Sequence, residues 1–290
     1  MLHTRFRGPI ACLEPFIRFY TEREVKIRGL AVVHPVTARA CPMIEFSLGE
    51  SMDVVDYKRR EGRKAPRAVA VGAQTFRRVD LQLQGNLHSF VIMFRPDGIY
   101  RLFSLPMDEM TDRDYEAHSL LGSFISQVRQ RLGECRSFAE RIDVANEVLI
   151  KHALQARDFD GVSAAASQIM RTGGRIDIPT LAHKAGLSLR QFERRFIKQV
   201  GMRPKLLARI ARFEGALAHK ASFVRNSWTD VAHEFGYYDQ MHMVHDFGEF
   251  TGGTPTETLA QLEGLFGDQI RRVRAGTVTD GDGGDSRLIF

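Results

Sequence analysis

Arg190, Glu193 and Arg194 fall two, five and six residues after Ser188, in a run that also carries Gln191, Arg195 and Lys198. If Ser188 caps a helix whose inner face holds Phe192 and Phe196, Arg190, Glu193 and Arg194 point outward. An outward Arg can grip a guanine edge with two hydrogen bonds, and a Glu can accept one from cytosine. Gln191, Arg195 and Lys198 suit phosphate contacts or solvent. Further along, Gln240, Met241, Val244 and His245 occupy the outward positions of a second such segment. Gln240 could read an adenine edge and Met241 could touch a thymine methyl, whereas His245 is a weaker cation than Arg at neutral pH. Gly248 lies one turn further on, at about 1 kcal/mol of helix propensity relative to Ala.

The elements that must position these side chains are visible as an internal repeat. One copy holds Leu181-Ala182, Gly186, Ser188, Phe192, Phe196, Gly201 and Pro204; the other holds Val231-Ala232, Gly236, Asp239, Met243, Phe247, Gly252 and Pro255. The copies are offset by 50 residues before the turn and by 51 after it. Each copy reads as a short helix, a glycine able to turn left-handed, and a capped second helix. A Gly and a Pro then mark its end and the start of the next helix. Leu187 and Tyr237 are placed to plug the core beneath each turn. The pattern is helix-turn-helix, twice, with a connecting helix expected over about Lys205–His219.

The charge is uneven between the copies. From Lys184 to Arg212 there are nine basic residues against one acidic residue, Glu193; from Phe213 to Glu257 there are two basic against seven acidic. Phosphate neutralisation dominates affinity for DNA, so the first copy is expected to supply most of the attraction.

The rest of the chain fits a two-domain protein: 290 residues, 43% apolar and 26% charged, with a formal charge of +6. No apolar run is long enough for a membrane span or a secretion signal, so a cytoplasmic location is expected. Cys12, Cys41 and Cys135 are odd in number and widely spaced, which fits inert reduced thiols. Short β-prone runs at 41–49, 68–72, 79–84 and 87–94 suggest a small antiparallel barrel or sandwich, with the basic run Lys58–Lys64 as a solvated hairpin loop. From about Ser119 the periodicity becomes helical. Asp158-Phe-Asp-Gly161 reads as a break, and 275–290 reads as a disordered tail.

Leu181–Phe196 with Val200-Gly-Met-Arg-Pro204 resembles the first half of an AraC/XylS-type DNA-binding domain, and Trp228–Gln240 with Phe250–Pro255 resembles the second. The resemblance covers about 90 residues and implies a bacterial transcription regulator, more often an activator, with two helix-turn-helix units entering successive major grooves. It carries base-reading roles to Arg190, Glu193 and Arg194, and to Gln240, Met241 and His245, where the last position commonly holds Arg. Leu13–Tyr20 and Phe94–Phe103 resemble the effector or dimerisation domain of some members. The implied fold is α+β: an N-terminal degenerate cupin-like β-barrel with helices over 10–157, then an all-α DNA-binding domain over 165–260. The implied partners are double-stranded DNA, RNA polymerase, a small-molecule effector or a protein partner, and a second copy of the chain. No cofactor is expected.

Two rival readings follow from the same residues. A cupin-like half invites a metal enzyme with a vestigial DNA-binding tail, but His3, His34, His88 and His118 lack the clustering such a site needs. His242 and His245, three apart near Asp239 and Asp246, are better explained as part of a reader helix. The other rival is a DNA-binding protein without a ligand that assembles through residues 119–156. Phosphate-cradling glycine loops and a Gly-x-Ser-x-Gly elbow do not occur.

Overall fold

The computed structural model describes residues 2–223 and 225–274, so the tail at 275–290 lies outside the described residues. The expected α+β class is what the chain adopts. Its first half is an antiparallel sheet of β1 (Leu2–Arg7), β2 (Ile17–Pro35), β3 (Met43–Ser47), β4 (Asp53–Asp56), β5 (Gly62–Lys64), β6 (Ala68–Val71), β7 (Val79–Phe94) and β8 (Asp114–Glu116). The ladder order is β1-β2-β7-β3-β6-β8, with β4 pairing β7 and β5. In place of a closed barrel the sheet is open, because among the described residues no ladder joins β5 or β1 to β8. Side chains bridge one seam instead: Arg63 on β5 and Arg78 before β7 both hold Asp114 on β8. The basic run at 58–64 does form an exposed turn and edge, between β4 and β5.

The long strands β2 and β7 make the frame, pairing from Ile17↔Phe94 to Pro35↔Asp80. The sequence reads β7 as two runs, yet it continues through Gly85, whose φ of +79° lets the strand kink without a Cβ clash. Side chains alternate across the sheet. Tyr20, Ile44, Phe46, Phe90 and Ile92 pack on α1 (Gly98–Phe103), α3 (Phe124–Glu134) and α4 (Phe138–Ala153), which follow the short α2 (Ala117–Leu121). Phe19, Met43, Val91 and Met93 face the other way.

Glu22 ties α4 to the sheet. It is 2% exposed and accepts from Arg141 at 2.8 Å, with the His88 ring 3.1 Å away and Arg5 at 3.5 Å. Burial acts to raise its carboxyl, but the His88 hydrogen bond and the charges of Arg141, His88 and Arg5 together hold it below its ordinary value. Beside it, the Tyr20 hydroxyl donates to Asn146 at 2.8 Å.

The second half is helical: α5 (Gly161–Arg171), α6 (Ile178–Lys184), α7 (Leu189–Val200), α8 (Pro204–Ser222), α9 (Trp228–Glu234), α10 (Gln240–Thr251) and α11 (Pro255–Arg274). Among the described residues no helix is long and apolar enough to cross a membrane. Phe192, Phe196, Leu207, Phe213, Phe247 and Phe250 form its core, and the Phe213 ring lies 4.9 Å from Phe247 and 5.4 Å from Phe250. Ala38, Ala40 and Ala73 of the sheet half join the same core. The halves therefore pack as one body.

Both α7 and α10 meet the sheet half at their C-terminal turns. Thr111 donates to the carbonyl of Gly201 at 2.8 Å, and the amide of Ala38 donates to that of Phe250 at 2.9 Å, next to Gly252. Gly201 has φ +91°, and a Cβ there would lie 2.1 Å from Thr111 Oγ1 and 2.8 Å from the Met107 carbonyl. At Gly186, φ is +66° and the space is open.

Gly186→Ala is expected to cost only left-handed strain, about 1 kcal/mol, whereas Gly201→Ala adds a clash and should cost roughly 2–4 kcal/mol. Urea unfolding of the two variants measures the difference; equal costs would mean the sheet half does not press on this turn. Glu22 sets an acid limit. Because its folded pKa lies below its ordinary value of 4.5, its contribution is present above that value and is lost as pH falls through the lower folded one. Glu22→Gln should flatten the fall in stability below about pH 4.5, read from unfolding midpoints across that range.

Candidate nucleic-acid interface

Each unit is built by the same local rules. Asp177 caps α6 by accepting from the Thr180 amide at 2.9 Å, and Ser227 caps α9 by accepting from the Asp230 amide at 3.1 Å. The turns after them use Gly186 and Gly236, at φ +66° and +72°. Tyr237 is buried beneath the second turn, and Leu187 packs against the same core under the first. Ser188 then caps α7, and Asp239 caps α10 by accepting from the His242 amide at 2.7 Å. Both α7 and α10 end on left-handed glycines, Gly201 and Gly252.

The α7 helix sorts its side chains as its spacing dictates. Phe192 and Phe196 are fully buried with ring centroids 5.5 Å apart. Arg190, Arg194, Arg195 and Lys198 are exposed, and none makes an ion pair with a described residue; Glu193 is half-buried. Gln191 is exposed as well, but its carbonyl oxygen accepts from the Ser188 amide at 3.1 Å, completing a reciprocal cap. That leaves its amide NH₂ as the group able to face a ligand.

The α10 helix presents a different surface. Met241 is 71% exposed and the His245 side chain 74%. Gln240 is exposed but accepts from the Thr229 hydroxyl at 2.9 Å, which ties it to α9. Val244 is half-buried. Trp228, at the start of α9, stacks edge-on to Phe247 at 5.5 Å with the Lys220 ammonium over its ring.

The charge count changes once the chain is folded. Arg209 belongs to the basic run read as attracting phosphate, but its guanidinium is turned inward. It donates to Asp246 at 2.6 and 3.1 Å and to Glu249 at 2.6 Å, which anchors α10 to α8. Asp246 is fully buried. Arg212 stacks over Tyr237 at 5.3 Å. Arg175 donates to the Glu234 carbonyl at 2.9 Å and so holds the end of α9. These partners lie 25 to 59 residues apart, beyond any local spacing signal.

Among the described residues, two groups of carboxylates and histidines lie close enough to share a metal: Glu22 with Glu24 and His88, and His245 with Asp246 and Glu249. The first corrects the reading of His88 as isolated, since folding brings it against Glu22. In both groups guanidiniums already occupy the carboxylates, Arg5 and Arg141 in one and Arg209 in the other.

A family model described as a helix-turn-helix domain matches residues 181–261, and one described as a domain of unknown function (DUF6597) matches 6–116. No curated relative matches the chain. Among solved structures, it is similar to ToxT from Vibrio cholerae O395, with 11% identity over 91% of this chain and 99% of that one and a TM-score of 0.44. An apo ToxT variant from Vibrio cholerae strain SCE256 gives 13%, 84%, 97% and 0.46. The DNA-binding domain of AdpA, in complex with a target DNA, gives 22% identity over 36% of this chain and 95% of its own, with a TM-score of 0.33.

Arg209→Ala leaves Asp246 as a buried carboxylate without its partner, and should destabilise the fold by about 2–4 kcal/mol. Adding Asp246→Asn should recover part of that loss. Chemical denaturation of the single and double variants checks this, and a double variant no better than the single would show that the carboxylate is not the strained group.

Proposed function

We propose that the chain is a DNA-binding transcription regulator of the AraC/XylS type that reads two successive major grooves of one duplex and activates transcription, a reading supported by the helix-turn-helix domain matched at 181–261. The observation that carries this is the outward basic face of α7, whose four cations make no ion pair among the described residues. A reader helix with its apolar side locked by Phe192 and Phe196 can spend that whole face on DNA.

In this reading Arg190 and Arg194 hold guanine edges and Glu193 accepts from a cytosine. Arg195, Lys198 and the Gln191 NH₂ take backbone phosphates. In the second groove Gln240 and Met241 meet base edges, and His245 adds a weak contact. The connecting α8 has 19 residues, about 28 Å of rise, close to the roughly 34 Å between major grooves on one face of DNA. Residues about 10–157 act as the sensing and dimerising module and about 165–260 as the DNA-binding module. A small-molecule effector or a protein partner shifts how the two are disposed, and bound regulator contacts RNA polymerase.

Genomic footprinting should find two protected blocks one helical turn apart. Arg194→Ala is expected to cost about 1–3 kcal/mol and to relax preference at one base position, measured by anisotropy on a set of operator variants. Equal loss on every sequence would reduce Arg194 to a phosphate contact. His245→Arg should tighten binding and steepen its salt dependence; unchanged affinity would place α10 away from the duplex at that point.

A further inference from the structure

Inside the curled sheet, on the face that carries Met43 and Glu45, lies a cavity of about 100 Å³, roofed by Leu262 of α11. That is room for several waters or one compact ligand. The walls are largely apolar, yet Arg23, Arg39 and Arg78 all line it. Each has a guanidinium nitrogen shut off from solvent without a hydrogen-bond partner: Nε of Arg23, Nη2 of Arg39 and Nε of Arg78. The Gln74 carbonyl oxygen beside them is a buried acceptor in the same state.

The anions at hand do not balance these cations. Asp114 is taken by Arg63 and Arg78, and Asp80 by Arg77. Glu214 is taken by Arg18 and by the amide of Ala40. Glu45 faces both Arg23 and Arg39 but forms an ion pair with neither among the described residues. The local field is positive enough to show in a neighbour. His34 is pushed down to about 3 by its burial and by the charges of Arg23, Arg39 and Arg77, so it stays neutral. A buried cation without a partner is costly, and so are several stranded donors in one place.

We propose that this cavity binds a compact oxyanion, a small hydroxycarboxylate or hydrogen phosphate, gripped by Arg23 and Arg39 with its O–H on Gln74. The ligand meets the stranded donors with acceptor oxygens, cancels the surplus charge, and offers Gln74 the donor it lacks. Resting on the regulator reading above, the site also has a lever. Arg39 stands between Ala38 and Ala40, whose amides hold the Phe250 carbonyl of α10 and Glu214 of α8. Occupancy fixes that segment against the second helix-turn-helix unit.

The test uses the full chain without DNA, so that its outcome is independent of whether the groove assignment holds. Melting midpoints and calorimetric titrations are recorded with inorganic phosphate, glycolate and the neutral control glycolamide. The expected result is a saturable rise of about 5 °C at a hundredfold excess over Kd with phosphate or glycolate, and none with glycolamide. The larger of the two shifts tells whether the oxyanion is inorganic or organic. Arg23→Met should weaken binding at least about tenfold while raising the ligand-free midpoint, since an unpaired buried cation is removed. Arg39→Lys, which keeps the charge and loses the fork, should also bind more weakly. The proposal is overturned if neither anion shifts the midpoint, if glycolamide does so equally, or if both variants respond like the parent chain.

Discussion

A single helix sets how far apart α7 and α10 stand. The 19 residues of α8 carry apolar side chains for both units, with Leu207 and Ile210 in the shared core and Phe213 wedged against Phe247 and Phe250. Cores packed at this density yield little, so the spacing of α7 and α10 is held by side-chain fit rather than by loop length. Arg209 adds a directional restraint that apolar packing cannot give, since its fork fixes the rotation of α10 about Asp246 and Glu249. Arg175 does the same for the end of α9. In the proposed reading the duplex meets a preassembled pair, and little ordering cost is left to binding.

The two units share a frame but differ in what they offer. The first exposes four cations on α7 that have no ion-pair partner among the described residues. The second has Asp246 and Glu249 on its reader helix, charges that would repel phosphate if left bare. Arg209 neutralises both from behind, at the expense of its own availability to DNA. Attraction and architecture thus draw on one pool of arginines, and α8 gives its share to architecture. The sheet half meets each unit at the same place, the left-handed turn that ends the reader helix. Any change in the sheet that moves residues 38–40 relative to 107–111 would therefore act on the ends of α7 and α10 differentially, and in the proposed reading that is what coupling between sites requires.

Much of this could be read from the sequence where the signal is local. The caps Ser188 and Asp239, the left-handed Gly186, Gly201, Gly236 and Gly252, the buried Phe192, Phe196 and Phe247, and the outward Arg190 and Arg194 all follow from spacing along one helix. The strands were harder. β2 runs for 19 residues, but its Arg, Glu and Lys side chains hide the alternation, because Glu22 and Arg23 are covered on opposite faces of the sheet, each with charged partners or neighbours from other elements. Gly85 splits β7 in sequence though not in space. The inward turn of Arg209 depends on a carboxylate 37 residues away, so composition alone counts it as a phosphate ligand. The sheet's failure to close is likewise a matter of which edges meet, and no periodicity records that.

That open edge has a physical consequence for the sheet's interior. A ladder of backbone hydrogen bonds between β5 and β8 would have to be broken to part them, leaving unsatisfied groups on both strands. Here the edges are joined by Asp114 with Arg63 and Arg78, whose side chains are 15%, 48% and 29% exposed. Partly exposed ion pairs of this kind are worth about 1 kcal/mol or less, and water can replace each half as they separate. For the ligand proposed above, entry costs least where β5 meets β8, because β2, β3 and β7 are held together by backbone ladders and this seam is not. A sheet built this way can admit a small solute to its centre without unfolding, which a ladder-closed barrel of the same size could do only through its ends.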